Sequence, residues 1–494
     1  MADRIRDLED ALDAALNRER MLRAQLAVQT PLAASSAVNG SERLHTLLDR
    51  LQALTPQFVR RLVRGIYLKH FYYPLFPDRR PEAVHEMAAS AAPAPPAHSG
   101  YAPFVLFKQR LNGTLNLDCG VTVDGTIPGL VSVVLPVYSG ERYVAASIES
   151  VLAQDYPRFE LILVDDGSTG SIPEILDRFA RDPRVTLVRQ DNRKLPAALN
   201  AGFARARGEF FTWTSDDNLM HPTMLSTLVD FLTERRDVEM VYADEELIDA
   251  QGQPALHADF CKIHQTPAGG NVLQRPFDPG ELNFTQNNFI GACFLYRAWA
   301  GRAIGEYSTA CFGFEDYDYW LRMNALFRLA HLGRRQPLYR YRLHAASLTA
   351  REKELRIAER AGYSLALEAE RREEFAGGFD VTFIGGHPWF RSLERAYKRA
   401  GHNVMNIPAV DDDALYVYRA TRAYRKALLV GAGAEIAAAL RENNQRTVTA
   451  ALLDGRLTMP GLSFSAAGPE AIEYPLLAAA NSLLWSRDKR PEVP

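Results

Sequence analysis

Val131-Ser132-Val133-Val134-Leu135-Pro136-Val137-Tyr138 and Phe159-Glu160-Leu161-Ile162-Leu163-Val164-Asp165-Asp166-Gly167-Ser168-Thr169 decide the fold. Each is a mostly apolar, β-branched run of strand length that ends in polar residues, as strands buried on both faces do. The stretch between them, residues 143–153, has helical spacing. Helices over 173–180 and 195–206 alternate with further strands over 185–188 and 209–213. Strands separated by helices of this length make βαβ units and a mostly parallel sheet. In such sheets ligands lie beyond the carboxyl ends of the strands.

Acidic residues stand at those ends. Asp165-Asp166 follows the second strand and Thr214-Ser215-Asp216-Asp217-Asn218 follows the fourth. Two neighbouring carboxylate pairs repel unless a cation or ligand donors intervene. A divalent cation bridging a diphosphate supplies both, because hard cations take carboxylate and phosphate oxygens together. Helix caps and turns use the same residues. A third cluster, Glu315-Asp316-Tyr317-Asp318, precedes apolar Tyr319-Trp320-Leu321. One or two of its acids complement the dipole of the helix that begins there. The surplus suits a general base. Trp320 reads as core and Arg322 as half of an ion pair, while Asp244-Glu245-Glu246, after the apolar run 240–243, reads as a solvated loop outside the site, with a ligand-facing position as the alternative.

Residues 130–349 resemble the inverting glycosyltransferases of family 2, which have the GT-A fold. The resemblance rests on VSVVLPVY at 131–138, FELILVDDGST at 159–169, NRKLPAALNAGFARARG at 192–208, Asp216-Asp217, the Glu-Asp-Tyr-Asp run at 315–318 and Tyr341-Arg342-Leu343-His344. It implies a nucleotide loop at Pro136 and Tyr138, a uracil contact at Asp166 and a ribose contact at Asp216. It further implies a Mg²⁺ or Mn²⁺ ion on Asp217, with His344 reaching the metal or diphosphate, and a catalytic base at Asp316. Arg193 and Lys194 face either the nucleotide phosphates or solvent, and Lys194 is the expected contact. Asp216-Asp217-Asn218 departs from the Asp-x-Asp of many relatives. No Gln-x-x-Arg-Trp follows the base, which argues against a processive synthase. The expected donor is a UDP-sugar and the acceptor a glycan or glycolipid, in the making of a bacterial surface polysaccharide. The competing readings are a nucleotidyltransferase, whose Gly-rich, Arg-containing signature is missing here, and a catalytically idle scaffold.

Outward from this core, residues 351–376 read as a charged connecting helix. Gly377-Gly378 opens a smaller Rossmann-like α/β domain over 377–494, with strands over 380–385, 426–430 and 448–453. Gly431-Ala432-Gly433-Ala434-Glu435-Ile436 follows one of these strands, and Asp454 lies some twenty residues on; Ile436 replaces the third glycine of a dinucleotide fingerprint. Gly385-Gly386-His387 follows another. Residues 1–86 form the expected N-terminal extension, with an amphipathic helix over 3–28 that could pair two copies as a coiled coil. Ser41 caps a second helix, and residues 58–80 are basic and aromatic, suited either to an anionic membrane surface or to docking as an ordinary helix end on the domain that follows. Residues 87–129 read as a Pro/Ala-rich linker and lead-in.

The chain has 494 residues, with 57 Lys and Arg against 60 Asp and Glu, a net charge of -3. That balance offers no global case for nucleic acid, which demands a clustered basic surface. Cys119, Cys261, Cys293 and Cys311 form no Cys-x-x-Cys pair, so neither a disulfide framework nor a structural zinc is expected. No signal peptide or transmembrane run is legible. The expected location is cytoplasmic, with peripheral contact at the inner face of the membrane.

Overall fold

The structure is a computed structural model that describes residue 115 and residues 121–256, 270–376, 378–407, 427–431 and 447–487. The chain divides into two units, Met1–Ala97 and His98–Pro494, and every described residue lies in the second. The expectations for the N-terminal helices, the basic aromatic segment, most of the linker, Cys119, Cys261 and the turn after Gly431 fall outside the described residues.

Chain order begins with β1 (Thr122–Val123), β2 (Ile127–Val137), α1 (Val144–Leu152) and β3 (Phe159–Asp166). It continues through α2 (Ile172–Phe179), β4 (Val185–Gln190), α3 (Lys194–Phe203) and β5 (Gly208–Trp213). Then come β6 (Leu219–Met220), α4 (Met224–Glu234), β7 (Met240–Tyr242), β8 (Glu245–Ile248) and β9 (Val272–Leu273). β10 (Phe294–Arg297), α5 (Ala298–Ile304), α6 (Glu315–Leu326), β11 (Leu329–His331) and β12 (Tyr339–Arg342) follow.

The main sheet has the order β11-β7-β10-β5-β2-β3-β4. β5, β2, β3 and β4 are mutually parallel, whereas β10 runs antiparallel to both β5 and β7. All eight residues of β3 are buried, which explains the apolar run 161–164 at its centre. α1 packs through Val144, Ser147, Ile148 and Val151, the i, i+3, i+4, i+7 stripe of an amphipathic helix. α3 lies so close to the sheet that a Cβ on Gly202 would stand 2.4 Å from Val134 Cγ1. This α/β arrangement is the one that the resemblance implies.

Downstream lie α7 (Ile357–Ala376), β13 (Asp380–Ile384), α8 (Phe390–Arg399), β14 (Asn403–Ile407), β15 (Ala427–Val430) and β16 (Thr447–Leu453). β17 (Arg456–Met459), β18 (Leu462–Ser465) and α9 (Pro469–Arg487) complete the described chain. A second sheet runs β1-β18-β17-β16-β15-β13-β14, parallel from β14 to β16 and antiparallel beyond. Its last strand, β1, comes from the lead-in ahead of β2, so the chain crosses from this sheet into the first one at residues 124–126. The two cores are continuous: Phe327 after α6 meets Tyr474 of α9 edge-on. Gly431 follows β15 and exposed Asp454 follows the neighbouring β16, while His387 packs on Trp389 and Phe390. Cys293 and Cys311 are buried and free. No helix among the described residues is long and apolar enough to cross a membrane.

Candidate functional site

A cleft of about 1300 Å³ opens at the carboxyl ends of β2, β3 and β5. Pro136, Tyr138, Asp166, Lys194, Asp216, Asp217, Asp316 and His344 all line it. The parallel register of β3, β2 and β5 carries their terminal residues to one edge, and α6 and the segment after β12 bring Asp316 and His344 to the same space.

At the end of β3, Asp166 Oδ1 accepts bonds from Gln190 Nε2 at 2.7 Å and the Arg193 backbone N–H at 2.9 Å. No described residue donates to its Oδ2. Asp165 instead holds the turn, accepting from the Ser168 N–H at 2.9 Å, with Arg189 beside it. The Arg193 and Lys194 side chains are exposed, and Lys194, in the left-handed region at φ 72°, projects its ammonium over the Phe312 ring.

Beyond β5, Asp216 Oδ2 accepts the Tyr138 N–H at 3.2 Å. Gly140 makes this contact possible, because a Cβ there would stand 2.3 Å from that oxygen. Burial, then the adjacent Asp217 charge, pushes the Asp216 carboxyl up to about 7. Tyr138 itself is 53% exposed, its ring free to lie against a ligand. Asp217 Oδ2 and His344 Nε2 are 2.9 Å apart, while Asp217 Oδ1 is buried without a partner. Arg342 grips the Asp217 carbonyl at 2.7 Å and stacks on Tyr143, whose ring also packs on His344.

Asp316 stands in the first turn of α6. Its Oδ2 accepts from Asn288 Nδ2 at 2.8 Å and its Oδ1 from the Tyr317 N–H at 2.7 Å. Burial pushes its carboxyl up, against these bonds. Buried Glu315 is likewise raised by burial and by Asp316, and it accepts the Gly313 N–H at 2.7 Å. Trp320 is fully buried and Arg322 pairs with Asp318 at 3.0 Å, so the rest of the helix is structural, as its sequence suggests.

Asp244 and Glu245 are corrected by the structure. Both are 0% exposed rather than solvated. Glu245 Oε2 pairs with Arg275 Nη2 at 2.8 Å, and its Oε1 accepts the N–H groups of Ala292 and Cys293. Asp244 Oδ1 meets the Arg275 N–H, His331 and Arg335. Burial opposes its ionisation, but these partners together hold the carboxyl below its ordinary value. The compensating cations lie some 30 and 90 residues further along the chain, so no local pattern announces them. Glu245 lines the cleft, as the alternative reading of the acidic run 244–246 allowed, and Arg275, Asn288, Glu315 and Gly140 line it without having been expected there. Of these four, only Glu315 carried a signal, its membership of the acidic run at 315–318.

A divalent metal tests well against Asp217, whose orphaned buried Oδ1 lacks a donor or cation, and His344 adds an imidazole nitrogen. Among the described residues no group of three His, Cys, Asp or Glu is arranged to hold a metal. Such an ion therefore needs ligand or water oxygens to complete its shell.

A family model for glycosyl transferase family 2 matches residues 132–298. The chain is 27% identical over 223 residues to an uncharacterized glycosyltransferase of Rickettsia prowazekii, covering 44% of this chain and 66% of that protein. It is 39% identical over 167 residues to glycosyltransferase GlyG of Streptococcus pneumoniae, covering 33% and 54%. The putative glycosyltransferase EpsE of Bacillus subtilis is 30% identical over 197 residues, covering 39% and 66%. The chain thus spans from about a third to about two thirds of the length of the curated relatives it matches. Among solved structures, S. aureus TarS in complex with UDP aligns at 15% identity over 49% of this chain and 64% of that one, TM-score 0.36. Mannosyltransferase PcManGT from Pyrobaculum calidifontis aligns at 18% over 65% and 84%, TM-score 0.37. Through residues 132–298, this chain belongs to glycosyl transferase family 2.

Proposed function

We propose that the protein transfers a sugar from a UDP-linked donor to a hydroxyl of a glycan or glycolipid, with inversion, in the making of a bacterial surface polysaccharide. The observation that carries this reading is the convergence of Asp166, the Asp216-Asp217-His344 group and Asp316 on one cleft. Family membership supplies the reaction class.

Asp166 accepts the imide N–H of uracil through Oδ2, its other oxygen being held by Gln190 and Arg193. Tyr138 and Pro136 flank the base, Asp216 meets the ribose and Lys194 reaches the phosphates. Asp217 and His344 hold the divalent ion, which when bound neutralises charge on the leaving diphosphate. Asp316 takes the proton of the acceptor hydroxyl as its oxygen bonds to the anomeric carbon from the face opposite the nucleotide. The bond from that carbon to the phosphate oxygen breaks, and its electron pair leaves with the diphosphate. Asn288 orients the base by donating to Asp316 Oδ2, so the carboxylate lone pairs are aimed before substrate arrives. The protein works at the cytoplasmic face of the membrane, with the basic aromatic residues 58–80 as the membrane contact.

The deciding experiment is calorimetric titration of UDP with and without Mn²⁺ into wild type and Asp217→Asn. The expected result is metal-dependent binding that the variant loses. A folded wild type that binds no UDP refutes the reading.

A further inference from the structure

Three polar groups on the residues lining this cleft are buried without partners: Asp217 Oδ1, Asn288 Oδ1, and Nε with Nη1 of Arg275. Native proteins rarely leave such groups unpaired, and where they do a ligand or function is the usual reason. The first belongs to the metal site and the second to the residue that orients the base. Arg275 has no part in either.

Its placement is unusually constrained. The Arg275 side chain is 4% exposed and Glu245 is 0% exposed, joined at 2.8 Å. Asp244 accepts the Arg275 N–H at 2.8 Å, and Arg335 donates to the Arg275 carbonyl at 2.7 Å. Gly291, at φ +73°, leaves the room for the pair: a Cβ there would stand 2.1 Å from Glu245 Oε1 and 2.5 Å from Arg275 Nη2. A guanidinium fixed from both ends, with two nitrogens lacking acceptors, is preorganised to donate.

Charge decides what it receives. Glu245 neutralises Arg275, Arg335 meets Asp244, and the same cleft carries Asp217 and Asp316. Arg275 itself therefore brings no net positive charge to a phosphate or carboxylate, and an uncharged oxygen is its matching acceptor. Glu245 also lies within electrostatic reach of the Asp316 carboxyl, which puts the pair near the reacting end of the cleft.

Building on the glycosyltransferase reading, we propose that Arg275, locked by Glu245, holds an uncharged oxygen of a pyranose, a hydroxyl or an acyl carbonyl, in the cleft it shares with Asp217 and Asp316. Arg275 is then a specificity residue, and its oxygen belongs to the donor sugar or to the acceptor sugar.

The test is Arg275→Lys in the full chain, which keeps the charge that Glu245 requires but loses Nε–H and the planar fork. Titration with UDP and GDP is compared with UDP-glucose, UDP-galactose, UDP-N-acetylglucosamine and GDP-mannose. If the donor sugar is read, Arg275→Lys leaves nucleotide affinity within about twofold and reduces the extra affinity contributed by the sugar by about tenfold or more. If the acceptor is read, donor binding is unchanged and the acceptor KM rises about tenfold. Unchanged discrimination in both assays, or an equal loss for nucleotide and nucleotide sugar, overturns the proposal. Failure of folded wild type to bind any of these nucleotides removes the glycosyltransferase reading as well, whereas intact nucleotide binding with unchanged discrimination removes Arg275 alone.

Discussion

The Asn288 amide donates to Asp316 Oδ2 at 2.8 Å while its own carbonyl oxygen is buried without a partner. An amide held this way favours the ionised carboxylate and fixes its plane. Asp316→Asn is therefore expected to lower kcat by about two to four decades while UDP affinity stays within about twofold. Calorimetry alongside a transfer assay checks this, and equal loss of both would remove Asp316 from the role of base. Asn288→Ala should lower kcat less than Asp316→Asn does.

The pH dependence follows from burial. A base acts when ionised, and burial raises the Asp316 carboxyl, so the acid limb of kcat/KM is expected above the ordinary Asp value of about 3.9. Burial and Asp316 push Glu315 up to about 8, so it is uncharged across that limb, and Glu315→Gln, which retains an oxygen for the Gly313 N–H, should leave the limb in place. For stability the sign is opposite to that of a salt-bridged acid: a carboxyl raised on folding stabilises fully below its unfolded pKa, and that stability is lost as pH rises through the folded value. Relative to wild type, Glu315→Gln should gain Tm on going from pH 5 to pH 9.

Gly140→Ala tests the loop above Asp216. The new methyl would meet the Asp216 carboxylate 2.3 Å away, and the end of that side chain can swing aside at little cost to the fold. UDP affinity should fall by about tenfold, the equivalent of one displaced hydrogen bond to a charged group, with Tm nearly unchanged. A large fall in Tm would show that the loop is structural.

Gly202→Ala probes packing rather than chemistry. Its Cβ would collide with Val134 between α3 and β2, and overpacking of this kind costs about 1–3 kcal/mol. Chemical denaturation should show that loss. No change would mean that α3 can slide.

Removing residues 1–80 should lower recovery in the membrane fraction if Arg60, Arg61, Arg64, Lys69, Arg79 and Arg80 meet anionic lipid. Recovery equal to wild type would discard the membrane contact.

The sequence by itself determined the alternation of strand and helix from Val131 to Trp213 and the acidic ends of β3 and β5. Those features are local: an apolar run and helical spacing are written in consecutive residues, and in a parallel sheet they bring Asp166 and Asp216-Asp217 to one edge. The acidic run at 315–318 was legible as a source of a general base, but the choice of Asp316 within it, and His344, came through the family resemblance, since their nearness to that edge depends on chain far downstream. Tertiary structure alone decided the rest. Glu245 looks like any solvated acid until Arg275, thirty residues on, arrives beside it through the gap at Gly291, and nothing near Asn288 marks it as the partner of Asp316. Thr122–Val123, a lead-in by sequence, becomes an edge strand of the second sheet because its partner β18 lies some 340 residues away. Charge compensation and strand pairing across such distances are properties of the packed chain, and no window of sequence contains both halves of either.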